Sequence, residues 1–377
     1  MKESAIYIHI PFCEHKCIYC DFYSIITKDS IEDFLDAVTS EIAACSRFGA
    51  DERFFTSIFF GGGTPSMMQP EYIGYILSAL NDSYRISPGA EITLETNPGT
   101  VDRKKLEKFR EYGINRLSVG IQTFHEDELK FLTRIHDRAS AIRTVCDAAE
   151  AGFTNINCDL IFNLPGQTLG RWEENLKTAV SLPVTHISAY SLILERGTIL
   201  NKLVLDGKIK MQDSDYDADI YELTMSFLHE HGFQQYEISN FAKNGFECRH
   251  NNAYWHYKDY LSFGPSAHSF VDGKRWWNYS SLKKYIHEIN TSGHAIANSE
   301  TLTKEQMLSE YIMLALRSSG LNIQEFSERF GSLWLNEKMK YLQSLEKRGL
   351  VLILGNESIR LTSKGYSLCD EILENIL

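Results

Sequence analysis

Three thiols, Cys13, Cys17 and Cys20, stand within the eight residues Cys13-Glu14-His15-Lys16-Cys17-Ile18-Tyr19-Cys20. Disulfide pairing leaves one of them over, and such short spacing strains any bridge. Thiolates select soft centres: zinc, copper(I) or iron–sulfur. Structural zinc wants four closed ligands, so a zinc site here needs His9 or His15 as the fourth. A four-iron cluster ordinarily takes four cysteines. Three leave one iron open, and an open iron is where a small molecule binds. Three buried cysteines without metal are the remaining alternative.

Other chemistry-bearing residues fall at the ends of apolar runs. Gly61-Gly62-Gly63-Thr64-Pro65 follows Ser57-Ile58-Phe59-Phe60 directly. Glycines let a backbone approach a ligand closely. The stretch lacks the G-x-x-x-x-G-K-[ST] spacing of a phosphate loop, and alone it reads equally as a tight turn. Glu95, Gln122, Arg134 and Asp159 lie in or after later apolar runs. An acid in such a run is costly unless paired or functional. Singly, each reads as a salt bridge or a cap. Together they offer carboxylates for hydroxyls or an ammonium, and a guanidinium for a carboxylate.

The elements that must position these groups alternate between strand and helix. The pattern predicts strands over Ala5–Ile10, Ser57–Phe60, Ala90–Thr96, Arg116–Gln122, Ile156–Leu164 and His186–Leu194. It predicts helices over Ser30–Phe48, from Pro70, over Asp102–Tyr112, from about Glu126 with a break near Arg134–Asp137, and over Arg171–Ser181. Six β-α units give a parallel sheet, because parallel neighbours need a crossover. In α/β barrels the chemistry sits at the C-terminal strand ends, where these residues fall. An open sheet with a switch-point crevice is the competing architecture. Further on, the pattern predicts a helix over Asp213–Gly232, a strand over Gln235–Phe241 and an aromatic, loop-rich stretch over Cys248–Tyr279. A boundary is expected near residue 300. Beyond it lie helical patterns over Lys304–Arg317, Ile323–Phe330 and Trp334–Arg348, a hairpin of Gly349–Leu354 with Ser358–Leu361, and a helix over Thr362–Leu377. That tail is winged-helix-like. Without a basic patch, docking onto the barrel is favoured over reading DNA.

The composition fits a large folded core. Of 377 residues, 43% are hydrophobic and 23% charged, which excludes a disordered chain. The net charge of −12 argues against non-specific nucleic-acid or anionic-membrane binding. The other five of the eight cysteines are scattered singly, unlike a secreted disulfide framework. Neither a signal segment nor an apolar run of membrane-spanning length is evident, so a cytoplasmic protein is expected.

C-x3-C-x2-C after a first strand resembles the radical S-adenosylmethionine superfamily. That resemblance implies a [4Fe–4S] cluster on Cys13, Cys17 and Cys20, with the open iron chelated by the amino and carboxylate groups of S-adenosylmethionine. It implies an α/β fold, an incomplete (β/α)6 barrel with a C-terminal α-rich, winged-helix-like module. Tyr7, Gly62, Gly63, Thr64, Glu95, Gln122, Arg134 and Asp159 fall where the HemN-type branch binds S-adenosylmethionine. Its first signature reads Tyr7-Ile8-His9-Ile10-Pro11-Phe12-Cys13 here, and the match runs from Ile6 to about Phe270. Gly264-Pro265-Ser266-Ala267-His268-Ser269 matches a segment near the adenosyl group, and Trp276 and Trp277 read as packing or a barrel mouth.

Two departures set the chain apart from the coproporphyrinogen III dehydrogenase of that branch. Phe22 replaces a further cysteine two residues after the third, and an N-terminal arm that helps enclose substrate is expected to be missing. His250-Asn251-Asn252-Ala253-Tyr254-Trp255 resembles instead the H-N-x-x-Y-W signature of the HemW branch, the haem chaperones. Imidazole is a standard axial haem ligand. Tyr254 and Trp255 can stack on a porphyrin face, and Arg249 can meet a propionate. Cys248 is a rival ligand, and a hydrogen-bonded histidine among core aromatics is the plain alternative. The resemblance implies three cofactors, the cluster, S-adenosylmethionine and haem. It implies a haem-acceptor protein as partner, such as a respiratory enzyme, with membrane association only through that acceptor. Domains are expected over 1–240 (barrel), 241–300 (the H-N-x-x-Y-W extension) and 301–377 (the HemN C-terminal-like module). The rival functions are radical decarboxylation of porphyrinogen propionates and a non-catalytic iron–sulfur sensor.

Overall fold

The structure, a computed structural model, describes residues 1–27, 29–46 and 52–377. Its first half alternates as the apolar periodicity predicts. In order come β1 (Lys2–Ile10), α1 (Ile31–Cys45), β2 (Arg53–Gly62), α2 (Pro70–Ser83), β3 (Ile86–Thr96), α3 (Arg103–Glu111), β4 (Arg116–Gln122), α4 (Glu126–Phe131), α5 (Arg138–Glu150), β5 (Asn155–Phe162), α6 (Leu169–Ser181) and β6 (His186–Ser191). The first helix was expected to reach Phe48; residues 47 and 48 lie outside the described residues. Asp102, Asp137 and Thr168 cap α3, α5 and α6, each accepting from a backbone N–H three residues on.

β1 to β6 pair in sequence order, all parallel. Side chains alternate between the two faces. On β1, Ile6, Ile8 and Ile10 join the core with Phe34, Val38 and Ile42 of α1. Tyr7 and His9 take the other face, and Phe59, Thr93, Glu95, Ser118, Asn157, Asp159 and Ser188 continue it through the strand register. That face is the lumen. The sheet is the half-barrel expected, and the helices cover its outer side.

The rest of the chain extends both sheet edges. After β6 come α7 (Ile199–Leu205), α8 (Ser214–Glu230), β7 (Gln234–Glu237), β8 (Asn240–Ala242), α9 (Arg249–Trp255), β9 (Tyr260–Phe263), β10 (His268–Val271), β11 (Lys274–Asn278), α10 (Leu282–Ser292) and β12 (Ile296–Thr301). β8 and β7 continue past β6, while β9 runs parallel to β1 and leads through β10 and β11 to β12. Two expectations are corrected. Gln235–Phe241 is an antiparallel hairpin, not one strand. Cys248–Tyr279 is not loop-rich but carries one helix and three strands. Elements of three to seven residues are too short for periodicity to register.

Beyond residue 302 follow α11 (Lys304–Leu316), β13 (Leu321–Asn322), α12 (Ile323–Phe330), α13 (Leu333–Lys347), β14 (Val351–Leu354), β15 (Ser358–Leu361), α14 (Ser363–Tyr366) and α15 (Cys369–Ile376). The single closing helix expected over Thr362–Leu377 is thus two. Three helices with a sheet ordered β13-β15-β14 form a winged-helix-like layout. Its own core includes Phe326, Leu342, Leu345 and Ile359, and takes in Tyr257 and Phe270 from the barrel side.

One buried acid ties α1 to the segment after β9. Glu41, 3% exposed, accepts from Gly264 N (2.9 Å), Asn278 Nδ2 (2.5 Å) and the Tyr285 hydroxyl (2.6 Å). Burial pushes its carboxyl up from 4.5 to about 7, against the pull of those bonds. Between these values the folded chain keeps a proton that the unfolded chain releases, so this contribution to stability falls as pH rises. Glu41→Gln should flatten that part of the slope. Urea melts at about pH 5 and about pH 8 should differ between wild type and variant by about 3 kcal/mol.

Candidate functional site

The thiols sit on the loop that leaves β1. Its base is a short bridge: Cys13 N donates to Ile25 O (2.9 Å) and Ile25 N to Pro11 O (2.8 Å). Phe12 beneath it is fully buried and packs edge-on against Phe34 of α1, centroids 5.5 Å apart. Such a pair is worth about 0.5–1.5 kcal/mol beyond area burial. The loop's tip is pinned from the far side, where Ile18 N donates to Thr133 Oγ1 (3.2 Å) and Leu200 N to Ile18 O (2.9 Å). All three cysteines are free and half-buried. Burial pushes the Cys13 thiol up and the Cys20 thiol to about 11. A bound cation reverses that preference, because a coordinating thiol is deprotonated outright.

The glycine stretch locks onto the same loop. Gly63 N donates to Ile10 O and Thr64 N to Phe12 O, each at 2.8 Å. A Cβ on Gly63 would lie 2.6 Å from Phe12 O and 2.9 Å from Ile10 O. Gly62 has φ +108°, which L side chains rarely adopt. Its N–H donates to Glu95 Oε2 (3.1 Å). Gly63 is therefore required by close backbone contact and Gly62 by its left-handed backbone, whatever they bind.

Below the loop the lumen holds two carboxylates. Burial first, then the charge of Asp159, pushes Glu95 up to about 8. Asp159 is also raised by burial, although Ser118 Oγ (2.9 Å) and Asn157 Nδ2 (2.7 Å) donate to it. Tyr7 contacts His9 Nδ1 through its hydroxyl (3.2 Å). Gln122 ends β4 at φ +72°, with its amide beside Gly120. Arg134 reaches back from the break after α4. Its Nη2 donates to Asn97 Oδ1 (2.7 Å) and Gly120 O (2.6 Å), and its Nη1 to Cys17 Sγ (3.6 Å). Its Nε is buried without a hydrogen-bond partner among the described residues. Cys17, Thr64, Asn97, Arg134 and Ile135 line a cleft beside the loop. Of the site residues expected, Thr64 and Arg134 touch the thiols, the glycines lock onto their loop and Glu95 meets Gly62, whereas Tyr7 lies deeper, its ring centroid 6.3 Å from that of His250.

The H-N-x-x-Y-W residues lie elsewhere. α9 closes the opposite end of the lumen, where Arg249 Nη1 donates to Gly89 O (2.8 Å) and His250 N to Glu91 Oε1 (3.2 Å). His250 is 2% exposed and stacks on Phe59, centroids 5.0 Å apart. Both ring nitrogens are engaged, Nδ1 with Ser57 Oγ (3.1 Å) and Nε2 with the Tyr254 hydroxyl (2.9 Å). Burial holds its pKa down to about 3. Tyr254 stands edge-on between His250 and Tyr260, while Asn251 and Trp255 are half-buried. In this conformation the motif is the barrel's floor, and His250 can ligate an iron only if α9 withdraws.

Sequence reasoning passed over Asn97, Thr133, Ser118 and Asn157. The one local signal was Pro98, which holds the preceding residue in extended backbone and so carries Asn97 to the strand end. The zinc alternative loses His9, whose ring nitrogens contact Tyr7 and the Tyr23 carbonyl (2.9 Å).

Three thiols on the loop after the first strand of a parallel half-barrel, above a polar lumen, define a radical S-adenosylmethionine site. Residues 7–179 match the model of the radical SAM superfamily, and residues 302–368 that of the HemN C-terminal domain. The chain belongs to the HemW family within that superfamily. It is 37% identical over 373 residues to heme chaperone HemW of Bacillus subtilis (strain 168), covering 98% of this chain and 97% of that one. It is 34% identical over 388 residues to the mitochondrial radical S-adenosyl methionine domain-containing protein 1 of Danio rerio, covering 100% and 87%. The solved structure of coproporphyrinogen III oxidase (HemN) from Escherichia coli superposes with a TM-score of 0.84 at 25% identity, covering 100% of this chain and 90% of that one. The family implies a [4Fe–4S] cluster and S-adenosylmethionine. The residues fit both: three thiols, a glycine cradle without room for a Cβ, paired lumen acids and an orphaned buried Arg134 N–H. No described helix is long and apolar enough to cross a membrane.

Proposed function

We propose that this protein is a haem chaperone that binds haem and passes it to an acceptor protein. The observation that carries this reading is end-to-end similarity to a protein named heme chaperone HemW, in a chain that carries three free thiols on one loop. Cys13, Cys17 and Cys20 hold the cluster. When bound, the cluster supplies a redox-active iron with one open position, which S-adenosylmethionine fills. The lumen acids Glu95 and Asp159, whose carboxyls burial pushes up, ionise against the ligand's cationic groups. Arg134 offers its free N–H to the ligand's carboxylate, and the backbone of Gly62, Gly63 and Thr64 borders the methionine end. Tyr7 and Gln122 line the walls.

His250, with Asn251, Tyr254 and Trp255, binds haem after α9 leaves the floor. We divide the chain at residues 240 and 300 into barrel, haem-binding extension and C-terminal module. The acceptor is a respiratory haem enzyme, met from the cytoplasm, and membrane association comes only through it.

Titrating haem into the anaerobically reconstituted protein should shift the Soret band, and amide exchange over Arg249–Trp255 should speed up as it does. His250→Ala should abolish the shift, with a thermal melt reporting the fold alongside. No shift in wild type, or an unchanged shift in the variant, overturns the assignment at this site.

The second reading is porphyrinogen decarboxylation, favoured by the superposition on coproporphyrinogen III oxidase. Phe22, 61% exposed, stands where that enzyme's branch carries a further cysteine. Anaerobic formation of protoporphyrinogen by the same sample would favour the enzyme.

A further inference from the structure

One hydrogen-bonded chain joins two of the three thiols. Arg134 Nη1 donates to Cys17 Sγ (3.6 Å) and Nη2 to Asn97 Oδ1 (2.7 Å). Asn97 Nδ2 donates to Thr64 Oγ1 (2.9 Å), and Thr64 Oγ1 meets Cys13 Sγ (3.3 Å). Its direction follows from the groups themselves. A guanidinium has only donors, so Asn97 must turn its oxygen to Arg134 and its amide nitrogen to Thr64. The Thr64 oxygen therefore accepts, which leaves its hydrogen for the remaining neighbour, the Cys13 sulfur. Thr64 is 3% exposed, so water hardly competes for that hydrogen.

We propose that Asn97 is a positioning residue that sets the donors reaching two cluster sulfurs. It steadies Arg134 against Cys17 and turns the Thr64 hydroxyl onto Cys13. The proposal rests on the thiols being cluster ligands. Hydrogen bonds to the sulfurs tune the cluster's potential. Donors favour the more negative, reduced state, so losing them makes the cluster harder to reduce.

The test is a redox titration of the reconstituted full chain, followed by electron paramagnetic resonance. Thr64→Val removes the hydroxyl and keeps the shape, while Thr64→Ser restores the hydroxyl. Asn97→Leu removes both side-chain bonds without adding charge. Thr64→Val should lower the reduced-to-oxidised ratio at fixed potential about threefold, and Asn97→Leu about tenfold, which is about 59 mV for one electron. Thr64→Ser should stay within about twofold of wild type. The double variant should match Asn97→Leu alone, because a hydroxyl no longer aimed at Cys13 has nothing left to lose. Iron content and a thermal melt accompany each sample. If Asn97→Leu holds no cluster, the Val–Ser comparison at Thr64 decides. Equal potentials for Val and Ser, or a double variant that sums the single shifts, overturn the proposal. A wild-type chain that takes up no cluster overturns the cluster reading itself.

Discussion

Cys17→Ala should leave the fold standing and remove the iron. Cys17 is half-buried on a loop, and among the described residues its thiol has one weak hydrogen bond, from Arg134. Its loss should cost no more than about 1 kcal/mol in a urea melt. A cluster held by Cys13, Cys17 and Cys20, as proposed, has no protein ligand to spare, and metal affinity depends on every one. After anaerobic reconstitution, iron and sulfide should fall below about a tenth of the wild-type content, with the brown absorbance gone. Retention of a full cluster would show that the three thiols are not the ligand set. Loss of fold and metal together would mean that Cys17 supports the loop more than its contacts suggest. A circular-dichroism melt of the apo forms separates these results.

Gly63→Ala should damage both the fold and the site. A methyl there meets backbone on two sides, 2.6 Å from Phe12 O and 2.9 Å from Ile10 O. Backbone cannot swing away as a side chain does. Relief must come by parting the strand end from the glycine stretch, which breaks the Gly63–Ile10 or the Thr64–Phe12 hydrogen bond. The lost buried bond costs about 1–3 kcal/mol. At this chain length that lowers the melting temperature by roughly 1–4 °C. Phe12 adjoins Cys13, so the displacement also moves the proposed cluster ligand, and reconstitution should suffer even in the folded fraction. Gly170→Ala is the matched control. It lies in α6 with nothing within 4 Å of the added methyl, and should be neutral. If Gly63→Ala melts and reconstitutes like that control, the close approach has been misread.

Much of the barrel was legible because its signals are local. The first strand, the helix from Pro70, β4 over Arg116–Gln122 and the break between α4 and α5 each announce themselves within a few residues, through apolar period, proline or glycine. The hairpin of β7 and β8, the helix α9 and the strands β9 to β11 were not legible, being only three to seven residues long. The same holds at the site. The thiol spacing and the glycine run can be read along the chain, but the role of Asn97 cannot. It has meaning only beside Thr64, which follows β2, and Arg134, which lies in the break after α4.

The residues alone determined which groups are available: three closely spaced thiols, a glycine run, acids and a guanidinium. Tertiary structure alone decided how these meet. Arg134 touches Cys17 across 117 positions, and His250 reaches Ser57 across 193. Ligand type and spacing are fixed by covalent order, and helix and strand period by backbone geometry. Which end of the lumen a side chain faces is fixed by the register of parallel strands and by what packs beneath them. That is why His250 sits in the floor of the barrel while Thr64 and Arg134 reach the thiols at its mouth.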